Sequence, residues 1–556
     1  MLNTQIMTNY QLFLRIMGHL APYRLIFILV LSSIVLMAVT YTAIPIFIKP
    51  ILDSIFISKE YGSIQFIPLI IIAFIMVQSL SRYISNYGIN WIGSTLTSDL
   101  QTAIFNRILM LPSHYYEGQT SENLVSKLTS DVIQVTQDGA RAASIFIKNI
   151  LTIIGLSIWI LYLNLELSLL ALMLTTIALL SAQIIYGRSH DADEKKYQIT
   201  KNLIQVIKES TENYKTVVLN GGRHHVLQRF QDEVDQIRKF NIKNTNTTIL
   251  KESSTNIVIA IALSTIFYLA IHQALIDEIT AGSSFSFIVS ILILSASLKQ
   301  LIKENGSIQN CTAVAKDIYS VLDLDTESDK GKITIDHAQG ELQFKHVSYH
   351  NALKDFSLTI RPGEKVALVG SSDETINALI NLVPRFIQPT DGKILIDNNE
   401  LTTIKLDSLR STIGFLSQDT TLFNDSIAAN IAYGEMGCST ESKIISAAHA
   451  AHAIQFIRRM PQGMQTLIGK NGIKLSKEQR QHIAIARILL KNPSILILDE
   501  ITTVPDSDSE HLIRPALDNL MRDRTTIIFA RRKEILEKVD RIIVIEHNRI
   551  VETGGL

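Results

Sequence analysis

The sequence predicts two parts: an α-helical domain with six transmembrane helices, followed by a soluble α/β domain. Three observations support this division. Of the 556 residues, 47% are hydrophobic and only 19% are charged, which is a high apolar content for a soluble protein. Six uncharged stretches of membrane-spanning length precede residue 300. After about residue 333, short β-rich segments alternate with helical ones, which is typical of an α/β domain.

The six uncharged stretches each approach the ~20 residues that a helix needs to cross the hydrocarbon core, where lipid offers the backbone no hydrogen bonds. They are Leu25–Ile48, Ser63–Leu80, Asn149–Leu165, Leu167–Gly187, Ser253–Ile276 and Ile279–Leu298. A buried helix of a soluble protein is rarely so long and so free of charge. We therefore expect six membrane helices within a first domain of residues 1–322.

The placement of Lys and Arg predicts the orientation of these helices, because loops on the cytoplasmic side carry an excess of basic residues. Arg15 and Arg24 precede the first stretch, and Arg188 follows the fourth. The short links at Glu166 and at Asp277–Glu278 contain no basic residue. Both termini are therefore expected to be cytoplasmic, in a multi-pass membrane protein.

Two long polar segments, about Tyr83–Lys148 and Arg188–Glu252, separate the second stretch from the third and the fourth from the fifth. Both segments have helical periodicity. Each is expected to extend membrane helices into the cytoplasm and to turn back near His114 or near Gly221. At these turns the segments can touch a soluble domain.

The soluble domain is expected at residues 333–556, after a polar linker at residues 323–332. Strands are predicted at ELQFKHVSY, VALVG, KILID and ILILDE, and helices at Ser442–Met460 and Glu478–Leu490. Cys311 and Cys438 are far apart and lack metal-ligand spacing, so we expect two unpaired thiols. The net charge is zero, which gives no indication of a nucleic-acid partner.

Several long motifs connect this sequence to a known family. They are PSHYYEGQTSENLVSKLTSD, LSQDTTLFNDSIAANIAYG, QRQHIAIARILLKNPSILILDE and DRIIVIEHNRIVETG. With them the chain resembles, nearly end to end, the bacterial ABC exporter half-transporters, in particular the lipid A exporters of the Gram-negative inner membrane. The resemblance implies a homodimer whose soluble parts are ABC nucleotide-binding domains. It also implies that two ATP molecules with Mg²⁺ are bound between the Walker A loop of one chain and the signature loop of the other, and drive lipid A-core from the inner to the outer leaflet.

The segment after the VALVG strand occupies the position of the Walker A loop. Such a loop uses glycines so that backbone N–H groups can wrap the phosphates, a Lys for the phosphate oxygens and a Ser/Thr hydroxyl for Mg²⁺. This chain has Gly370, Ser371, Ser372, Asp373, Glu374, Thr375, Ile376 and Asn377. Only the first glycine is kept, and Ile376 and Asn377 stand at the lysine and hydroxyl positions. A loop that binds no phosphate is the favoured interpretation, and a functional variant of the Walker A loop is the alternative.

Two other elements of the expected ATP site are intact in sequence. ILILDE resembles the Walker B strand, so the resemblance implies that Asp499 holds Mg²⁺ through water and that Glu500 is the catalytic general base for the attacking water. Gln418, in FLSQD, matches the Q-loop, which touches the metal.

The signature loop, expected as Leu-Ser-Gly-Gly-Gln at a helix N-terminus, is altered. Ser476 is followed by Lys477, Glu478 and Gln479, so side chains replace both glycines and Glu478 adds a negative charge. Partial compensation by Lys477 is the less favoured alternative. Arg531 stands where the family has the switch histidine that contacts the γ-phosphate.

These differences leave two hypotheses about activity. The first is an ATP-driven lipid translocase, as the resemblance implies. The second is a hydrolysis-deficient homologue that keeps the membrane fold and acts as a scaffold, or that retains no transport role. Symmetry matters here, because each site of a homodimer combines one Walker A loop with the partner's signature loop. Both sites would therefore contain both altered elements.

Two lysines of the membrane part are candidate substrate contacts. Lys148 and Lys299 lie at the inner ends of the third and sixth stretches, and they match positions where lipid A exporters place basic residues near substrate phosphates. The alternative is ordinary anchoring of the helices at the inner leaflet.

Overall fold

The computed structural model describes residues 15, 18, 21–54, 67–117, 121–169, 173, 190–275, 280–335, 337–370, 372–417, 420–499, 507–529, 536 and 538–554. The chain forms two compact units. The first unit contains Met1–Leu109 and Ser121–Leu324, and the second contains Met110–Thr120 and Asp325–Leu556. A short piece of the first polar segment therefore belongs with the soluble unit.

The described residues of the first unit form helices joined by short turns. Its helices are α1 (Arg24–Asp53), α2 (Ile67–Leu109), α4 (Ser121–Ser126), α5 (Gly139–Leu163), α6 (His190–Glu212), α7 (Tyr214–Leu219), α8 (Arg223–Leu275) and α9 (Ala281–Leu322). The short helix α3 (His114–Glu117) falls in the second unit. The predicted turns near His114 and Gly221 are confirmed, because α3 follows α2 there and Gly221, at φ +65°, lies between α7 and α8.

Four helical stretches among the described residues are long and apolar enough to cross a membrane. They are Ala21–Asp53, Ile67–Leu109, Asn123–Leu163 and Gly282–Leu322. These correspond to the first, second, third and sixth predicted stretches. Residues 253–275 of the fifth predicted stretch lie within α8, and most of the fourth lies outside the described residues. The structure thus confirms a helical membrane domain with four candidate spans, and the number six stays a prediction.

The membrane helices pack through apolar side chains on their inward faces. Leu156 and Ile160 of α5 belong to one buried cluster with Phe287 and Ile291 of α9. Large apolar side chains on the opposite faces, such as Ile72 on α2, are exposed. Lipid, which is as apolar as these side chains, is their natural environment.

The second unit contains two β-sheets. A four-stranded antiparallel sheet has the order β2-β1-β4-β5, and a six-stranded sheet has the order β10-β9-β3-β8-β7-β6. The strands are β1 (Leu342–Tyr349), β2 (Leu353–Ile360), β3 (Lys365–Val369), β4 (Asp391–Ile396), β5 (Asn399–Glu400), β6 (Ile413–Leu416), β7 (Ile495–Asp499), β8 (Thr525–Phe529), β9 (Arg541–Glu546) and β10 (Arg549–Gly554). In the larger sheet, the five strands from β9 to β6 are parallel and β10 is antiparallel.

Helices pack against these sheets. They are α10 (Asp373–Leu382), α11 (Leu406–Ser411), α12 (Ile427–Ile431), α13 (Glu441–Ala450), α14 (Ile454–Ile457), α15 (Lys477–Lys491) and α16 (Ser507–Met521). The predicted strands are confirmed as β1, β3, β4 and β7, and the predicted helix Glu478–Leu490 as α15. The single helix predicted at Ser442–Met460 is wrong. His452 has φ +55° and separates α13 from α14, because left-handed backbone cannot continue an α-helix.

The larger sheet places the expected ATP-site elements at one edge. Parallel strands β3, β8 and β7 are neighbours, so their carboxyl ends meet at the same edge of the sheet. The loop after β3 begins there at Gly370, and Asp499 ends β7 two strands away. Two strand spacings correspond to about 10 Å.

Candidate nucleotide and lipid sites

The loop after β3 begins with a glycine that the surrounding structure requires. Gly370 has φ +79°, and a Cβ atom at this position would lie 3.0 Å from the carbonyl oxygen of Ile545. Left-handed backbone with so little space favours glycine. The first residue of the Walker A pattern is therefore explained by the turn itself. The next residue, Ser371, lies outside the described residues.

Helix α10 begins three residues after Gly370 and has an ordinary N-cap. Ser372 is the N-cap of α10, and its Oγ accepts a hydrogen bond from the N–H of Thr375 at 3.2 Å. The N–H of Ile376 donates to the carbonyl oxygen of Ser372 at 3.0 Å. Two amides that a Walker A loop would turn toward phosphate are thus bonded within the helix.

The side chains of Thr375 and Ile376 point into the protein. Thr375 is fully buried, and its Oγ1 lies 3.0 Å from the carbonyl oxygen of Ala352 and 3.1 Å from Oδ1 of Asn548. Ile376, at the lysine position, is 9% exposed and belongs to the hydrophobic core that includes Phe356. Packing therefore holds this turn in its helical form.

The exposed side chains of the same turn carry the wrong charge for a polyanion. Asp373 and Glu374 lie in the first turn of α10 and are exposed, as is Asn377. Carboxylates at a helix N-terminus stabilise the helix through its dipole, and they repel phosphate from the same place. The described residues of this loop do not fit a nucleoside triphosphate.

The signature segment is also closed by its own side chains. Ser476 caps α15 in a capping box: its Oγ accepts from the N–H of Gln479 at 3.2 Å, and its own N–H donates to Gln479 Oε1 at 3.0 Å. The Ser476 hydroxyl donates to Oε2 of Glu478 at 2.6 Å. The serine that would face a phosphate therefore already has an anionic partner.

Glu478 is the anion of this helix N-terminus. The Ser476 hydroxyl and then the backbone N–H of Glu478 itself hold the pKa of this carboxyl below its ordinary value. A γ-phosphate from another chain would have to displace the carboxylate and overcome its repulsion. The signature segment, like the loop after β3, does not fit a phosphate. Lys477 is half-buried at the first position of the helix, beside this carboxylate.

The structure covers the intact elements only in part. Asp499 is placed at the carboxyl end of β7, opposite Phe529 of β8. Gln418, Glu500 and Arg531 lie outside the described residues. Their predicted roles at the Q-loop, as general base and at the switch position stay predictions.

In the membrane unit the two candidate lysines have different partners. The Nζ atom of Lys148 lies 5.3 Å from the ring centroid of Tyr41, which is a cation–π contact between α5 and α1. The Nζ atom of Lys299, on α9, donates to Oδ1 of Asn256 on α8 at 2.9 Å. Each lysine thus contacts a neutral side chain.

Another cation, Arg82, contacts the same Tyr41 as Lys148 and was not among the predicted site residues. Arg82, on α2, donates from Nη2 to the hydroxyl of Tyr41 at 2.9 Å. Arg82 and Lys148 therefore approach one tyrosine from two helices. The resemblance to the lipid A exporters points to Gln78 as a third position where those proteins place a basic residue. Gln78 is neutral, and Arg82 lies one helical turn after it.

Comparison with known proteins assigns both parts of the chain to one family. Residues 26–298 match the ABC transporter transmembrane region, and residues 353–503 match the ABC transporter domain. The ATP-dependent lipid A-core flippase of Thiobacillus denitrificans is 37% identical over 99% of this chain and 96% of its own. Those of Nitrosococcus oceani and Legionella pneumophila subsp. pneumophila are 36% and 35% identical, over 97% and 98% of this chain and 92% and 93% of their own. The chain therefore belongs to the ABC transporter family, in the group of the ATP-dependent lipid A-core flippases.

Proposed function

We propose that this chain is a subunit of a flippase that moves lipid A-core, or a closely similar glycolipid, from the inner to the outer leaflet of the bacterial inner membrane. The observation that carries this proposal is the 37% identity over 99% of the chain to an ATP-dependent lipid A-core flippase. The similarity spans both the membrane part and the soluble part. ATP with Mg²⁺ is the energy source that membership of the family implies.

The proposed architecture is a homodimer with six membrane helices per chain and both termini in the cytoplasm. Its domains are the membrane domain at residues 1–322, the linker at 323–332 and the nucleotide-binding domain at 333–556. The four candidate spans and the positions of the basic residues support this arrangement.

The proposed contacts to the lipid are cationic. Lys148 and Arg82 converge on Tyr41, and Lys299 provides a further positive charge on α9. Phosphate groups of a glycolipid headgroup are the anions that such side chains bind. Arg82 would supply the charge that Gln78 lacks.

The geometry of the phosphate-binding elements favours a second candidate function. Thr375 and Ile376 are turned into the core, and Ser476 is bonded to Glu478. A hydrolysis-deficient homologue that keeps the lipid-binding membrane fold, as a scaffold or without a transport role, fits these contacts. It is the second candidate function, and a measurement of MgATP hydrolysis decides between it and the flippase.

The lipid proposal is tested by binding of lipid A-core to the full chain in nanodiscs. We expect saturable binding that Lys148→Gln and Arg82→Gln each weaken several-fold and that added salt weakens further. Arg141→Gln is the matched control, because Arg141 lies on α5 like Lys148 but donates to Asn90. Equal effects of all three substitutions would contradict the proposed contacts.

A further inference from the structure

The segment around the altered signature carries an excess of positive charge. Residues 470–480 contain four basic side chains and one acidic one. The basic residues are Lys470, Lys474, Lys477 and Arg480. The acidic residue, Glu478, already accepts a hydrogen bond from the hydroxyl of Ser476 at 2.6 Å. We call this segment, which includes the first turn of α15, the basic patch.

Two cations of the basic patch contact neutral groups of their own chain. Lys474 donates from Nζ to the carbonyl oxygen of Leu467 at 3.0 Å, and Nη1 of Arg480 lies 3.5 Å from the carbonyl oxygen of Asn471. A carbonyl oxygen carries no net charge, so neither contact neutralises a cation. Positive charge also opposes the dipole at the N-terminus of a helix. An anion from outside the chain would therefore stabilise the basic patch.

The opposite charge lies on the first turn of α10. Asp373 and Glu374 are exposed there, and the sequence of residues 372–377 contains no basic residue. We call residues 372–377 the acidic turn. Asp499, at the end of β7, adds a carboxylate at the same edge of the sheet. The acidic turn thus has the charge that the basic patch lacks.

The acidic turn and the basic patch lie apart within one chain. The acidic turn follows β3, whereas α15 packs beside β6, where a Cβ atom at Gly414 would lie 2.8 Å from Cγ2 of Ile488. The strands β8 and β7 separate β3 from β6, so the axes of β3 and β6 are about 14 Å apart. An ion pair needs its charged atoms within about 4 Å of each other. The separation therefore favours pairing between two copies of the chain.

We propose that the acidic turn of one chain docks on the basic patch of a second copy, and that this contact joins the soluble units without nucleotide. A two-fold dimer makes the contact twice, because each chain presents both surfaces to its partner. Pairing of turn with turn, or of patch with patch, would bring like charges together and is disfavoured. The inference rests on the homodimer of the proposed function and concerns what joins its soluble units.

An exposed apolar side chain in the basic patch favours a protein partner. Ile473 is 80% exposed and lies between Lys470 and Lys474 in the sequence. Burial of this side chain against a second chain would add a favourable apolar contact to the ion pairs. A free phosphate ion could pair with the lysines but offers no such contact. A second copy of the chain is therefore the occupant that satisfies both the charge and the apolar surface.

The test measures the distance between the two soluble units in nanodiscs without nucleotide. Cys438 is exposed and Cys311 is buried, so a spin label on Cys438 reports one distance between the two copies. The parent is expected to show a short, narrow distance distribution. Raising the salt from about 0.05 to about 0.5 M should shift it to longer distances, because salt screens charges at the surface. Added MgATP should leave the distribution unchanged.

Charge reversal identifies the partners. Glu374→Lys and Lys477→Glu should each lower the short-distance fraction roughly tenfold, because each brings like charges together. The two substitutions in one chain restore opposite charges, and most of the short-distance fraction should return. Loss of fold stability cannot produce such a rescue, because two destabilising changes at separate sites add. Arg458→Glu is the matched control, since Arg458 is exposed in the same unit and lies outside the basic patch.

The lysine variant is the safer of the two single changes. A glutamate at the first position of a helix is favoured by the helix dipole, so Lys477→Glu should not unfold α15. If Glu374→Lys does not fold, Glu374→Gln replaces it and must lower the short-distance fraction by a smaller factor. The salt series on the parent needs no substitution at all.

Three results would overturn the inference while the homodimer stands. The first is a long, broad distance distribution in the parent without nucleotide. The second is a short distance that forms only with MgATP, which would mean that nucleotide joins the soluble units. The third is a double variant that stays as open as the single ones. If no distance between labels is detected in any sample, the chain is not a dimer, and both the homodimer and this inference fail.

Discussion

The hydroxyl of Ser476 donates to the carboxylate of Glu478 at 2.6 Å, and both residues lie at the N-terminus of the same helix. In this arrangement the chain supplies its own anion where the family binds a phosphate from the partner. The loop after β3 is also closed to a phosphate, because the side chains of Thr375 and Ile376 are buried in the core. Both elements are thus closed by contacts within the same chain.

Ser476→Ala should raise the pKa of Glu478 toward the ordinary glutamate value of about 4.3, because the first cause of its lowering is removed. The helix should also lose roughly 1 kcal/mol from the missing N-cap. The pKa is measured from the carboxyl resonance of Glu478 in selectively labelled protein. An unchanged pKa in the variant would mean that the hydroxyl does not hold the carboxylate in solution.

The lowered pKa of Glu478 also predicts a pH dependence. Because this carboxylate is more acidic when folded than when unfolded, its contribution to stability is present above the unfolded pKa and is lost as the pH falls through the folded one. The stability difference between the parent and Glu478→Gln should therefore shrink as the pH falls below about 4.3. Unfolding midpoints measured for both proteins over that range check this, and a constant difference would contradict it.

Ile376→Lys restores the lysine of the Walker A pattern in sequence but should not create a phosphate site. The new ammonium would start from a core position that is 9% exposed, so the soluble unit should lose about 2–3 kcal/mol. The backbone amides would stay bonded to Ser372. Asn377→Lys is the control, because the next position is exposed and the same charge should cost at most about 0.5 kcal/mol.

These two variants are compared by chemical unfolding and by binding of a fluorescent ATP analogue. Equal stability of Ile376→Lys and Asn377→Lys would show that the side chain at 376 is not confined to the core. If Ile376→Lys alone gained nucleotide binding, this would contradict the finding that the backbone N–H groups at positions 375 and 376 are bonded to Ser372.

Gly282, at the start of α9, should be intolerant of a side chain. Its N–H donates to Oδ1 of Asp53 at 3.1 Å, and a Cβ atom would lie 2.4 Å from that oxygen and 2.5 Å from the carbonyl oxygen of Lys49. Gly282→Ala should therefore destabilise the membrane unit by about 1–3 kcal/mol. Gly306→Ala, in the same helix with no atom within 4 Å, should be neutral or stabilising.

Thermal unfolding midpoints in one detergent decide between the two glycines. Gly282→Ala must fall below the parent and Gly306→Ala must not. The opposite order would mean that Asp53 does not pack against the start of α9.

Short sequence patterns predicted the helices and strands whose positions depend on residues close together in the chain. The helix predicted at Glu478–Leu490 is α15 because a capping serine, a glutamine three residues later and an apolar face coincide there. The Walker B strand ends at Asp499, as its run of aliphatic residues indicates. The substitutions at the glycine and lysine positions of the Walker A pattern could also be read directly from the sequence, because that pattern is short and local.

Such patterns could not predict contacts between residues that lie far apart along the chain. The alanine-rich run after Ser442 favours a continuous helix, yet His452 takes a left-handed conformation and Ala453 is buried. The hydroxyl of Ser113 donates to the carbonyl oxygen of Phe386, and Arg410 pairs with Glu327, although the partners lie far apart in the chain. The inward side chain of Thr375 depends on Asn548, at the turn between β9 and β10.

The most direct measurement is MgATP hydrolysis by the full-length protein in bilayers with and without lipid A-core, compared with Glu500→Gln. Because the loop after β3 and the signature segment are bonded within the chain, we expect a hydrolysis rate equal to that of Glu500→Gln, whether or not the lipid is present. Turnover that lipid A-core stimulates and Glu500→Gln abolishes would contradict this account, and would establish an ATP-driven flippase in spite of the closed loops.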